Sequence, residues 1–168
     1  FIHSLLPYFQ DHRYIRVNDK PILVVYRAKD IPNASQVFST WRRLAVTYGF
    51  AGLHIIVVDF YDIFHPNEVD ADALVEFPPH KFNSPESIPD QIPTITNENF
   101  QGAIVDYAKV IAQSANRPQP DFTLYRGIVP SWDNTARRQD TPTILHGSSP
   151  ELFKAWLSYI RSYTRTTF

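Results

Sequence analysis

Ile22-Leu23-Val24-Val25-Tyr26, a helical pattern from Ala34 to Tyr48, and Leu53-His54-Ile55-Ile56-Val57-Val58 decide the fold class of this chain. Apart from His54, the two apolar runs show no polar alternation, which is the signature of strands covered on both faces. Between them Val37, Trp41, Leu44 and Tyr48 recur at helical spacing, with Phe38 and Ala45 alongside, and Gly49 stops the pattern. Strand, helix and strand joined by short connections form a βαβ unit, which demands parallel pairing.

Working outward, Phe1, Ile2, Leu5, Leu6 and Phe9 predict a helix that Pro7 kinks or ends early. Asn18-Asp19-Lys20-Pro21 is a turn. Ala73 to Phe77 predicts a third strand closed by Pro78-Pro79, and the stretch from His80 to about Asn99 an extended loop. A helix is expected from Phe100 to Ala115 and a fourth strand from Gly127 to Trp132. Ser149, Pro150 and Glu151 mark the start of a final helix, whose buried stripe is Leu152, Trp156, Ile160 and Tyr163, backed by Phe153 and Leu157. The result is an α/β chain of parallel βα units in one domain spanning residues 1–168. An open doubly wound sheet and a piece of a (β/α)8 barrel both fit this pattern.

Composition narrows the partners. The formal net charge is -1, so no electrostatic case exists for nucleic acid. No run approaches the roughly 20 apolar residues of a membrane-spanning helix. The chain has no cysteine, which excludes disulfides and thiolate zinc sites. Its histidines form no i, i+4 pair, and His65 with Asp59 and Asp62 is the one mild cluster, so neither metal nor cofactor is expected. No Gly-x-Gly-x-x-Gly follows a strand and no Gly-x-Ser-x-Gly is present, which argues against dinucleotide binding and serine-hydrolase chemistry.

Ligands of parallel α/β folds sit beyond the carboxyl ends of the strands. Those ends carry Tyr26 and Arg27, then Asp59 and Tyr61, then Glu76, Phe77 and His80, then Trp132, Asp133 and Asn134. Rings beside carboxylates and amides suit a carbohydrate: an indole packs on the C–H face of a pyranose while Asp133 and Asn134 hold hydroxyls. Glu76 and Asp133 are the candidates for acid/base work. Arg137 and Arg138 could grip the diphosphate of an activated sugar. The plainer alternatives stay open: Asp133 paired with a neighbouring arginine, Glu76 paired with Arg27, and two solvated guanidinium groups.

Pro130-Ser131-Trp132-Asp133-Asn134-Thr135-Ala136-Arg137-Arg138, followed by His146-Gly147-Ser148-Ser149-Pro150-Glu151-Leu152-Phe153 and Trp156-Leu157, resembles the WbsX-type glycosyltransferase family, also described as a glycoside hydrolase family 99-like domain. Arg13 to Pro21, Val25-Tyr26-Arg27 and Val75 to His80 resemble further family segments in the same order. The resemblance implies a TIM-type (β/α)8 barrel, of which these strands would be about four of eight, roughly the fourth to the seventh. It implies an internal segment, without the family's first strands and its closing Asn-Glu-Trp-x-Glu-Gly motif. A glycosyltransferase of bacterial lipopolysaccharide or surface-polysaccharide biosynthesis is therefore expected, cytoplasmic, acting on a glycan or activated sugar. The alternatives are a glycoside hydrolase of the endo-α-mannosidase type and a non-catalytic sugar-binding or structural fragment. In the related hydrolases the working carboxylates form a downstream Glu-x-x-Glu pair absent here, so the catalytic residues are unassigned and the chain by itself is expected to be inactive. Tyr26, Arg27, Glu76, His80, Trp132, Asp133, Asn134, Arg137 and Arg138 remain as the expected substrate-binding wall. Open sheet edges suggest a homo-oligomer.

Overall fold

A computed structural model of the chain describes residues 1–60, 65–82, 89 and 94–167. In chain order the elements are α1 (Ile2–Phe9), β1 (Arg16–Val17), β2 (Lys20–Val25), α2 (Ala34–Thr47), β3 (His54–Val58), β4 (Ala73–Val75), β5 (Ala103–Asp106), α3 (Tyr107–Asn116), β6 (Leu124–Tyr125), α4 (Thr135–Arg138), β7 (Thr143–His146) and α5 (Pro150–Thr167). Short 3-10 turns lie at Ala28–Asp30 and Pro66–Val69. The described residues group into two compact units, residues 1–76 with 120–125 and residues 77–119 with 126 onward.

The first unit holds a five-stranded sheet in the order β1-β2-β3-β4-β6, parallel throughout except for β1. The expected turn at Asn18–Asp19 is the tip of the β1–β2 hairpin. Both tip residues take positive φ, 49° and 61°, as short hairpin turns require of Asn and Asp. The apolar run of β2 is not covered on both faces as expected, since Val24 is 53% exposed, whereas β3 is closed to water: Ile55 and Val57 are fully buried. They pack with Leu74, Leu124 and the helical residues Phe9, Phe38 and Ala45 into one core. The helix α1 runs through Pro7 rather than kinking off before it; the proline removes the N–H that would donate to the His3 carbonyl, and the helix ends two residues later at Phe9.

Arg42, on α2, ties that helix to the sheet. Its guanidinium donates to the Asp70 carboxylate at 2.8 Å, the Asp70 carbonyl at 2.7 Å and the Asp72 carboxylate at 2.9 Å. The Asp72 carboxylate in turn accepts from the Ile55 N–H at 2.7 Å.

The second unit has its own two-stranded parallel sheet, β5 with β7, and its own core around Trp156. Trp156 is fully buried, edge-on to Tyr107 at 5.8 Å and to Phe82 at 6.1 Å. Its indole N–H donates to Ser114 Oγ at 3.1 Å, so the polar end of the ring is satisfied.

Two expectations are corrected here. The expected Phe100–Ala115 helix is a strand, β5, followed directly by α3. Gly102 comes so close to Pro142 that a Cβ there would lie 2.4 Å from its carbonyl oxygen, and this approach lets Ala103 to Asp106 pair with β7. Asp106 then caps α3 by accepting from the Lys109 N–H at 3.0 Å. The expected Gly127–Trp132 strand is irregular chain, and the strand that joins the sheet is Leu124–Tyr125. Pro130 has no N–H for a ladder, and the Val129 carbonyl is taken by the Tyr107 hydroxyl at 2.7 Å. Within α5, Trp156 and Ile160 are buried as expected, whereas Leu157 is 48% exposed. The predicted loop from His80 to Asn99 lies in part outside the described residues.

Two stability measurements follow. Arg42→Ala removes three charge-assisted bonds and leaves the half-buried Asp72 carboxylate with its Ile55 N–H bond but without its ion pair, so a loss of about 2 kcal/mol is expected in urea denaturation. Ser149 Oγ accepts from the Leu152 N–H at 3.3 Å at the start of α5, and Ser149→Ala should cost about 1 kcal/mol. An unmoved denaturation midpoint in either variant would mean that the corresponding contact contributes nothing.

Candidate functional site

Among the expected site residues, Tyr26, Arg27 and Glu76 belong to the first unit, and His80, Trp132, Asp133, Asn134, Arg137 and Arg138 to the second.

In the first unit the carboxyl ends of β2, β3 and β4 carry a defined polar and aromatic group. Tyr26 follows β2 and is 48% exposed, with its ring edge-on to Phe60 at 5.5 Å and 75°. The Arg27 guanidinium lies 5.4 Å from the centroid of the same Phe60 ring, a cation–π contact. Arg27 Nε donates to Asp30 at 2.9 Å, so its ion pair is with the next turn. Phe60 thus supports both neighbours and leaves Tyr26 half open to solvent.

Beside them stand two carboxylates. Val58 of β3 pairs in register with Val75 of β4, and each is followed at once by an acid, Asp59 and Glu76. The Asp59 N–H donates to the Val75 carbonyl at 2.7 Å, and the Glu76 N–H donates to the Tyr125 carbonyl at 2.9 Å. Both residues are 4% exposed. Parallel neighbours are about 4.8 Å apart, so the register alone makes these acids adjacent. Asp59 is a candidate that sequence reasoning left among the strand ends without a role; the signal was its position one step beyond a buried strand. Tyr61 and Asp62 lie outside the described residues.

Toward the other end of the same sheet, the Tyr125 hydroxyl and His54 Nε2 are hydrogen-bonded at 3.0 Å. Burial pushes the His54 imidazole below its ordinary value of 6.5, Asp72 opposes that shift, and Lys20 and Arg42 add to it. Burial raises the Tyr125 phenol, and Asp72 adds to that.

In the second unit the loop from Trp132 to Asn134 is stitched to β7. Trp132 packs half-buried against the Trp156 core, and its carbonyl accepts from the Leu145 N–H at 2.8 Å. Its indole N–H is buried and has no partner among the described residues. Only part of the ring is therefore open to a ligand. Asp133 is exposed, and its carboxylate accepts from the hydroxyl and the N–H of Thr135. Those bonds, the hydroxyl's first, hold it below the usual carboxylate range. Asn134 Oδ1 accepts from the Thr143 N–H at 2.7 Å and so fixes the start of β7. Arg137 and Arg138 are exposed on the single turn of α4. His80 is half-buried beside Phe77, and burial lowers its imidazole. Among the described residues no group of three or more His, Asp or Glu is placed to hold a metal ion, and no helix is long and apolar enough to cross a membrane.

Comparison with known proteins adds the family. The sequence profile described as glycosyltransferase WbsX matches residues 1–167, so the chain belongs to that family. Two curated relatives, both described as uncharacterized protein WxcX, come from Xanthomonas campestris pv. campestris, strains ATCC 33913 and B100. Each is 32% identical to this chain over 158 residues. The matches cover 94% of this chain and 22% of each relative, so the chain spans about a fifth of their length. No solved structure matches significantly.

The imidazoles give a pH test. His54 and His80 bind protons less readily folded than unfolded, so the unfolded chain takes up more protons as pH falls below 6.5. Their contribution to stability is complete above that value and is lost as pH falls toward the lowered folded value. Urea midpoints should therefore drop between about pH 7 and 5, and His54→Gln should flatten that drop. An identical slope in the variant would show that His54 is not proton-linked to folding.

Proposed function

We propose that this member of the WbsX family forms the sugar-binding rim of a glycosyltransferase that builds bacterial surface polysaccharide, lipopolysaccharide included. Family membership across nearly the whole chain supports the reaction class. The group at the ends of β2, β3 and β4 supports the location. The five-stranded sheet is then part of a (β/α)8 barrel, and the chain one partial barrel domain within a longer protein.

On this reading a pyranose lays its C–H face on Tyr26, which Phe60 holds from behind. Asp59 and Glu76 accept hydrogen bonds from ring hydroxyls, and Arg27 donates to others. The backbone of both acids is held by ladder bonds at the strand ends, so little main-chain ordering remains to be done when a sugar arrives. In the second unit, taken by itself, His80, Trp132, Asn134, Arg137 and Arg138 are a separate set of substrate contacts, the two arginines for a donor diphosphate. Asp133, bonded to Thr135, serves the loop more than the substrate.

The test uses the full-length parent protein with nucleotide sugars and, separately, aryl glycosides. Transfer to a glycan acceptor is expected with an activated donor. Release of free sugar from aryl glycosides without any donor would replace the transferase reading with a hydrolase. Tyr26→Ala and Glu76→Gln should each raise KM about tenfold with kcat little changed, because each removes binding worth about 1.4 kcal/mol. Asp133→Asn should leave both constants in place. Wild-type KM in the Tyr26 and Glu76 variants would remove these residues from the binding surface.

A further inference from the structure

Immediately after Arg27, the loop that leads from β2 into α2 frames a cavity of about 420 Å³, inside the size range of small-molecule sites. Its apolar lining is small and aliphatic: Ala28, Ala34 and Val69 are buried, with Ile31 beside them. Its polar lining is exposed and comes from Lys29, Asn33, Ser35, Gln36 and Glu68. No ring lines it.

The charges in this lining are already balanced. Lys29 Nζ donates to Glu68 Oε2 at 3.1 Å, and the other oxygen of Glu68 accepts from the His65 N–H at 2.9 Å. A free anion would have to displace that carboxylate, so an anionic ligand is disfavoured although the cavity lies at the start of a helix. Unclaimed groups make up the rest. The side chains of Asn33, Ser35 and Gln36 make no hydrogen bond among the described residues. Asn33, held in the left-handed region at φ 53°, gives α2 no side-chain cap. Amides and a hydroxyl that both donate and accept, in a lining with no net charge and no aromatic ring, match a neutral ligand rich in hydroxyl groups. A second depression of about 360 Å³ shares Asn33 and Gln36 and continues toward Thr40 and Trp41, so the polar surface extends beyond a single cavity.

The geometry points to a second sugar position here, a subsite that takes a neutral hexose unit of the same glycan beyond the unit stacked on Tyr26. This inference takes its ligand class from the rim reading above, but it stands on separate residues.

The experiment follows 15N–1H amide signals of the isotopically labelled chain during titration with maltotetraose, α-1,6-mannotetraose and an α-linked rhamnotetraose, and with inorganic phosphate as the anionic control. The amides of Ser35 and Gln36 should move with at least one tetrasaccharide and not with phosphate. A double variant, Asn33→Ala with Gln36→Ala, should weaken that response about fivefold while shifts at Tyr26 and Arg27 persist. Shifts confined to Tyr26, Arg27 and Asp59 would overturn the subsite and leave the rim reading standing. Shifts confined to Ser35 and Gln36 would do the reverse. Movement of Ser35 and Gln36 with phosphate alone would overturn the subsite in favour of an anion site, and silence at every position would overturn both.

Discussion

The Ile55 N–H lies near the start of β3, where β4 has not yet begun, and needs an acceptor there. Asp72 supplies it: its carboxylate accepts from the Ile55 N–H at 2.7 Å while its own N–H donates to the Ile55 carbonyl at 2.8 Å. This reciprocal pair fixes the register of β3 against β4 one residue before the ladder starts at Ile56 and Ala73. A slip by one residue would turn every side chain of a strand to the opposite face. With the register held, Val58 must lie opposite Val75, and Asp59 and Glu76 must emerge side by side. Arg42 neutralises the carboxylate that makes this possible and brings α2 with it. The helix whose start frames the cavity is thus anchored by the same ion cluster that aligns the two acids.

The second unit solves a different problem. Two short parallel strands cannot bury much surface by themselves, so the unit depends on one large side chain. Trp156 fills its centre, with Tyr107, Phe82, Val105 and Leu145 around it. Arg126 reinforces the same end, donating to the Ser114 carbonyl at 2.6 Å with its guanidinium 5.0 Å from the Tyr163 ring. The loop around Trp132 is therefore held in place by the core and by β7.

What the sequence revealed, and what it hid, follows from these constraints. The strand around Val57 is legible because burial on both faces forces an unbroken apolar run, the strand around Val25 because its run is apolar and mostly β-branched even with one face partly open, and α2 because of its helical stripe. β5 hides because Asp106 caps α3 with no intervening turn, so Ile104 continues the helical spacing of Ala108, Ile111, Ala112 and Ala115. β7 hides between a polar loop and Gly147, four residues long and too short to alternate visibly. The run Ile128-Val129 resembles a strand since both residues are apolar, yet they serve the Trp156 core from irregular chain. Of the candidate site, Tyr26, Arg27 and Glu76 were legible as strand ends. The contrast between Asp59 and Asp133 was not, because sequence shows two acids after apolar residues and says nothing of what each carboxylate meets.

That contrast bears on function. A sugar offers a patch of C–H groups and a ring of hydroxyls, and water competes for every hydroxyl. A protein outcompetes water when its acceptors are already positioned and shielded before the sugar binds. Asp59 and Glu76 are buried at 4% exposure on adjacent strands, with a supported ring in the same unit. Asp133 is held by Thr135 but is exposed, and its hydrogen bonds shape the turn into α4. The invested structure, two ladders and a charge cluster, converges on the ends of β2, β3 and β4.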